Sequence, residues 1–136
     1  MPSYSRSSNK RLHTVRPELQ RIFREVLRRG YDHAILEGHR GQYDQHTNFI
    51  SDRSKVDWPN SKHNTTPSDA VDVRPYIPSL GYPDDLKYFY RFAGQVEAIT
   101  QEMGYELRWG GDWDSDRDMD DQRFNDLFHF EYVREL

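Results

Sequence analysis

From Leu19 to Leu27 the apolar residues Leu19, Ile22, Phe23, Val26 and Leu27 recur at three- and four-residue steps. That spacing predicts a helix capped by Thr14, running to about Arg29 and stopped by Gly30. Its other face carries Arg21, Glu25, Arg28 and Arg29, including the four-apart pairs Arg21–Glu25 and Glu25–Arg29. Leu86, Phe89, Ala93, Val96 and Ile99 or Met103 repeat the pattern and predict a second long helix, from about Asp84 to Met103, ended by Gly104. A shorter helix is expected from Gln42 to about Ile50.

Strands are expected at His33–Glu37, Ala70–Arg74, Tyr105–Trp109 and Phe128–Val133. Alternation along them sets Val71 and Val73 on one face and Ala70, Asp72 and Arg74 on the other; likewise His129, Glu131 and Val133 oppose Phe128, Phe130 and Tyr132. Turn chemistry at Asp57-Trp58-Pro59-Asn60 makes Ser51–Asn60 a loop, and Pro75, Pro78, Gly81 and Pro83 mark another. The polar first 15 residues read as an irregular lead-in, and 16–136 as a single domain without repeats.

With 136 residues, 35% of them hydrophobic, and a mean hydropathy of -1.05, one modest core is expected, reinforced by a 14% aromatic content. The absence of cysteine excludes disulfides, thiolate metal ligands and a thiol nucleophile, so a transition metal must be held by His and carboxylates. No apolar run suits a signal peptide or a membrane span, which points to synthesis and retention in a cytoplasm. Residues 1–45 carry nine Lys/Arg against five Asp/Glu, and residues 112–136 nine Asp/Glu against three Arg. The basic half reads as a solvated helix face, with contact to an anionic surface as the alternative. The net charge of -4 and the lack of a phosphate-binding loop argue against nucleic acid as a partner.

The candidate chemistry centres on Ser61-Lys62-His63 and Ala70-Val71-Asp72. A catalytic zinc takes three protein ligands and leaves a fourth position for water, whose pKa it lowers to about 7. His63, in a turn-rich loop, and Asp72, on the strand that follows, can aim at one point. His129 meets them if the last strand neighbours Ala70–Arg74. Asp126, three residues before His129, is placed to carry the water's proton to a leaving amine, and Arg40, just past a strand end, to hold an oxyanion or a substrate carboxylate. Taken singly, His63 also reads as a hydrogen-bonded surface histidine, Asp126 as a helix-start residue and Arg40 as a salt-bridge partner. His13, His33, His39 and His46 are assigned structural roles.

Ser61-Lys62-His63 through Ala70-Val71-Asp72, Trp109-Gly110-Gly111-Asp112-Trp113, Asp126-Leu127-Phe128-His129-Phe130-Glu131, and Gly38-His39-Arg40 with Gln45 together resemble the zinc peptidases that include D-alanyl-D-alanine carboxypeptidases and phage L-alanyl-D-glutamate endopeptidases. The likeness spans roughly Leu19 to Tyr132. It implies an α+β fold of the Hedgehog/D-Ala-D-Ala peptidase-like kind, in which a small antiparallel sheet carries the zinc and about three helices pack around it. It implies zinc ligation by His63, Asp72 and His129, catalysis by Asp126 and Arg40, and substrate-binding support from Ser61 and Gln45. The implied activity is that of a zinc metallopeptidase acting on peptidoglycan stem peptides: an L-alanyl-D-glutamate endopeptidase, made as a monomeric phage endolysin in the host cytoplasm and reaching the wall once the membrane is permeabilised. A D-alanyl-D-alanine carboxypeptidase and a non-catalytic zinc-bearing wall-binding module are the alternatives. The long spacer containing Pro67 departs from the compact family form. Asp126, where many carboxypeptidases have Glu, favours the phage branch.

The acidic run from Asp112 to Asp121 reads as a solvated loop, or alternatively as a calcium site built from the oxygens of its alternate carboxylates. It is not an EF-hand loop: the sixth position is Arg117 rather than Gly, and the twelfth is Arg123 rather than Glu.

Overall fold

The computed structural model describes residues 2–120, 122 and 125–136. Asp121, at the end of the acidic run, Arg123, its twelfth position, and Phe124 lie outside the described residues, as does Met1. The elements, in order, are α1 (Arg6–Leu12), α2 (Pro17–Arg28), β1 (His33–Glu37), α3 (Gln42–Ile50), β2 (Ala70–Pro75), α4 (Leu86–Glu102), β3 (Tyr105–Gly110) and β4 (Asp126–Glu135). The strands form one antiparallel sheet in the order β1-β2-β4-β3.

The two faces of that sheet have different jobs. Val71, Val73 and Phe130 point to one side and meet Leu19, Ile22, Phe23 and Val26 of α2 and Phe92, Val96 and Ile99 of α4, all buried. The amphipathic stripes read from sequence are the stripes that cover the sheet. On the opposite side, registry pairs Asp72 with His129, and Ala70 and Arg108 with Glu131. Directly opposed residues share a face. The α+β architecture follows, with the polar row of the sheet left open for chemistry.

Three expectations need correction. The lead-in is not irregular: residues 6–12 form α1, a fourth helix, capped by the Ser5 hydroxyl, which accepts the Ser8 N–H at 3.1 Å. Leu12 and Val15 belong to the core, so the packed unit begins before residue 16. Nor does Thr14 cap α2. Pro17 at the first helical position presets its backbone and Arg16 precedes it without a side-chain cap, while the Thr14 hydroxyl accepts the His39 N–H at 2.9 Å and donates to the Arg11 carbonyl at 2.7 Å. Finally, Leu86 is exposed in the first turn of α4, whose buried side is instead Phe89, Phe92, Ala93, Val96, Ile99 and Thr100.

Two glycines do backbone work. A Cβ on Gly38 would stand 2.2 Å from Thr14 Oγ1 and 2.6 Å from the Arg11 carbonyl oxygen, so only glycine lets the end of β1 nest against the turn after α1. A Cβ on Gly110 would stand 2.0 Å from the Asp126 carbonyl oxygen, where β3 and β4 come together. Among the described residues no helix is long and apolar enough to cross a membrane.

Candidate metal centre

His63 is delivered by a tight turn. Ser61 Oγ accepts the His63 N–H at 3.2 Å, the Asn64 N–H bonds to the Ser61 carbonyl, and the Asn64 side chain returns to the Ser61 N–H at 3.0 Å. The His63 carbonyl accepts the Arg40 N–H at 2.8 Å, which fastens the turn to the end of β1. The imidazole is buried, with Nδ1 2.7 Å from the Gly38 carbonyl oxygen. A carbonyl can only accept, so Nδ1 carries the proton and Nε2 presents its lone pair.

Across the sheet His129 is fixed the other way round. Its Nε2 lies 2.9 Å from Glu131 Oε1 and so carries the proton, which leaves the Nδ1 lone pair facing inward. Both free nitrogens converge on Asp72: His63 Nε2 is 3.2 Å and His129 Nδ1 is 3.4 Å from Asp72 Oδ1. The three donor atoms lie within 4.8 Å of one another.

Two imidazole nitrogens and a carboxylate oxygen aimed at one point can hold a cation between them. Donors on a tetrahedral ion with bonds of about 2.0–2.1 Å stand roughly 3.3–3.4 Å apart, which is the spacing of both imidazoles from Asp72. The residues therefore fit a metal ion, with each histidine oriented by a partner on its outer nitrogen. Without one, Asp72 and the imidazoles pair with each other. Burial would raise the Asp72 pKa, but the two rings outweigh it and hold the carboxyl well below the usual range. Burial would lower His129, yet Asp72 and Glu131 together lift it to about 9.

Around this centre is an open cleft of about 340 Å³ whose walls include Ser61, His63, Trp113, Asp126 and His129. Asp126 opens β4 opposite Gly110; the Trp109 indole donates to the Leu127 carbonyl at 2.9 Å and locks the next peptide. Burial, and then the charge of Asp72, raise the Asp126 pKa. A carboxyl so placed is disposed to take and return a proton. The Trp113 ring stands against His129 with centroids 5.4 Å apart.

Arg40 lines the same cleft but is firmly held. It bonds Glu37 through Nε and Gln45 Oε1 through Nη1 at 2.9 Å, and its Nη2 lies 3.8 Å from Asp72 Oδ2. Gln45 stands behind Arg40 rather than on the cleft wall. It is fully buried and saturated, accepting from Arg40 and Asn64 through Oε1 and donating to Ser54 Oγ and the Val56 carbonyl through Nε2. It acts by holding Arg40. Ser61 lines the cleft and supports the His63 turn.

The remaining histidines stay apart: His13 bonds the Asn9 carbonyl, His39 Thr66, and His46 Asp57, while His33 is in the core. Sequence reasoning gave no role to Glu131, although two-residue alternation from His129 puts it on the metal face, nor to Glu37, three residues before Arg40 at the end of β1. In the acidic loop Asp112, Asp114 and Asp116 bring oxygens within 4.8 Å of one another. Asp112 Oδ2 accepts the Arg117 N–H at 2.9 Å, and its buried Oδ1 has no hydrogen-bond partner.

The chain is similar to known proteins along nearly its whole length. The sequence profile of a family described as phage L-alanyl-D-glutamate peptidase matches residues 2–133. An L-alanyl-D-glutamate peptidase of Escherichia phage T5 is 36% identical over 126 residues, covering 88% of this chain and 87% of that protein. Among solved structures, the Serratia marcescens L-Ala D-Glu endopeptidase ChiX is similar, with a TM-score of 0.75 at 25% identity over 96% of this chain and 90% of its own.

Proposed function

The chain belongs to the phage L-alanyl-D-glutamate peptidase family, and from that premise we propose that it hydrolyses the L-alanyl-D-glutamate bond of peptidoglycan stem peptides as a zinc-dependent endolysin. The observation that carries the metal in this reading is the convergence of His63 Nε2, Asp72 Oδ1 and His129 Nδ1, with outer nitrogens tied to Gly38 and Glu131.

A zinc ion bound there would supply Lewis acidity to the scissile carbonyl and to the attacking water. Asp126 takes a proton from that water as its oxygen bonds to the carbonyl carbon, and delivers it to the glutamyl nitrogen as the C–N bond breaks. Arg40 sets a positive charge 3.8 Å from the outer oxygen of Asp72 and favours its ionised form. Trp113 screens one side of His129 from solvent. We read the acidic loop as a second, calcium-type site, supported by its three converging carboxylates and the buried, unpartnered oxygen of Asp112. The protein is read as a monomer released to the wall when the host membrane is permeabilised.

The deciding experiment digests purified peptidoglycan with zinc-loaded protein and with Asp126→Ala, and identifies the soluble products by mass spectrometry. New amino termini at glutamate, lost in the variant although it still binds one zinc, are expected. Free D-alanine as the only product would move the protein to the carboxypeptidases. No product from a folded, zinc-loaded wild type would leave a wall-binding module.

A further inference from the structure

The cleft holds more positive charge than a metal centre needs. Five cationic side chains line it against two carboxylates outside the ligand set, in a chain whose net charge is -4. Arg40 is committed to Glu37, Gln45 and Asp72. Arg108 is not. It projects from β3 on the metal face, opposite Glu131 in β4, and its Nη2 lies 3.2 Å from Glu131 Oε2 while Oε1 of that carboxylate holds His129. Its guanidinium stands two links from the metal ligand, 42% exposed to the cleft, and its buried Nε–H has no acceptor. The exposed part of the guanidinium keeps N–H donors that can meet an arriving anion in a charge-assisted pair. Lys62, exposed at the rim one residue before His63, brings a second positive charge to bear on the same Glu131.

We infer that Arg108 and Lys62 form a carboxylate-reading subsite for the residue on the leaving side of the scissile bond. This rests on the proposed endopeptidase reading. In an alanyl-γ-glutamyl link the glutamate's free α-carboxylate sits on the carbon that bears the scissile nitrogen, about 3–4 Å from the reacting carbonyl carbon. With that carbonyl at the metal, the carboxylate falls beside the ligand set, where a cation anchored through Glu131 and one anchored next to His63 flank it. Asp126 and Glu131 repel a misplaced carboxylate and so fix its orientation. The ligand class is an α-carboxylate. A stem peptide whose glutamate is α-amidated keeps the scissile bond and loses the charge.

The test compares N-acetyl-L-Ala-γ-D-Glu-L-Lys with its α-carboxamide counterpart, using zinc-loaded wild type, Arg108→Gln, Lys62→Gln and Lys62→Arg, with cleavage sites assigned by mass spectrometry. The wild type is expected to favour the carboxylate peptide in kcat/KM by roughly ten- to hundredfold, since charge-assisted hydrogen bonds have strengths of that order. Each Gln variant should shrink that ratio, and Lys62→Arg should keep most of it. Equal rates on both peptides in the wild type, or Gln variants whose ratio stays at the wild-type value as both rates fall together, would overturn the subsite while leaving the peptidase reading intact. Failure of the wild type to cut either peptide at the alanyl-glutamyl bond removes the peptidase reading, and the subsite with it.

Discussion

Glu131 governs which nitrogen His129 offers: its Oε1 takes the Nε2 hydrogen at 2.9 Å and leaves Nδ1 turned to Asp72. Glu131→Gln keeps an accepting oxygen and removes the charge that makes the ring a better donor. Zinc affinity should fall by roughly tenfold or more, read by competition with a chromophoric chelator. Unchanged affinity would mean that Glu131 does not tune the ring.

Gly110 should matter for Asp126 rather than for the metal. An added methyl collides with the Asp126 carbonyl, so Gly110→Ala must push the start of β4 away. A displacement of even an ångström at a proton carrier lowers kcat by on the order of 10², whereas zinc affinity should stay within a few-fold of wild type. Parallel loss of metal and activity would show that the shift spreads to His129.

Gln45 bonds four partners from one buried amide. Gln45→Leu strands the Arg40 and Asn64 donors in the interior, at a cost of about 2–4 kcal/mol in urea unfolding, and reduces kcat/KM through the loosened Arg40. A variant as stable as wild type would show that these donors find water instead.

His33 makes stability depend on pH. Burial, only partly offset by its bond to the Tyr31 carbonyl, lowers its pKa to about 4 from an ordinary 6.5. The folded state thus keeps the ring neutral where the unfolded chain protonates it. Its contribution is full above about 6.5 and is lost as pH falls toward 4, an amount of roughly 3 kcal/mol. The difference in unfolding free energy between wild type and His33→Gln should narrow across that window. A constant difference would rule the titration out.

Calcium should raise the Tm of zinc-loaded protein, and Asp112→Asn should remove most of the rise. If stability and activity are the same after chelation and zinc-only reconstitution, the acidic loop is a solvated one.

Much of this was legible in the chain. Period-3.6 stripes located α2 and α4, and the strands β1 to β4 were found because each is a short apolar alternation between turn residues. His63, Asp72 and His129 could be named together because their order and context are specific, and Asp72 and His129 do face each other across β2 and β4. What escaped was what only tertiary packing decides. α1 has Leu12 as its one apolar buried residue, and is docked by buried Ser8, whose hydroxyl accepts the Ile35 N–H, and by Tyr4, whose hydroxyl reaches the Phe23 carbonyl and His33. No periodicity announces such a helix. The spacing of Gln45 from Arg40 was visible in the chain, but its complete burial was not.

The strand order has a consequence for the moment of synthesis. β4 follows every other strand in the chain yet lies inside the sheet, between β2 and β3, and it carries Asp126, His129 and Glu131. Until it leaves the ribosome, β3 has no neighbour and Asp72 no opposing histidine. On the proposed roles of Asp126 and His129, growing chains are therefore silent, and a premature stop before β4 should yield an inactive fragment rather than a weak enzyme. The producing cell meets an active hydrolase only as a finished molecule.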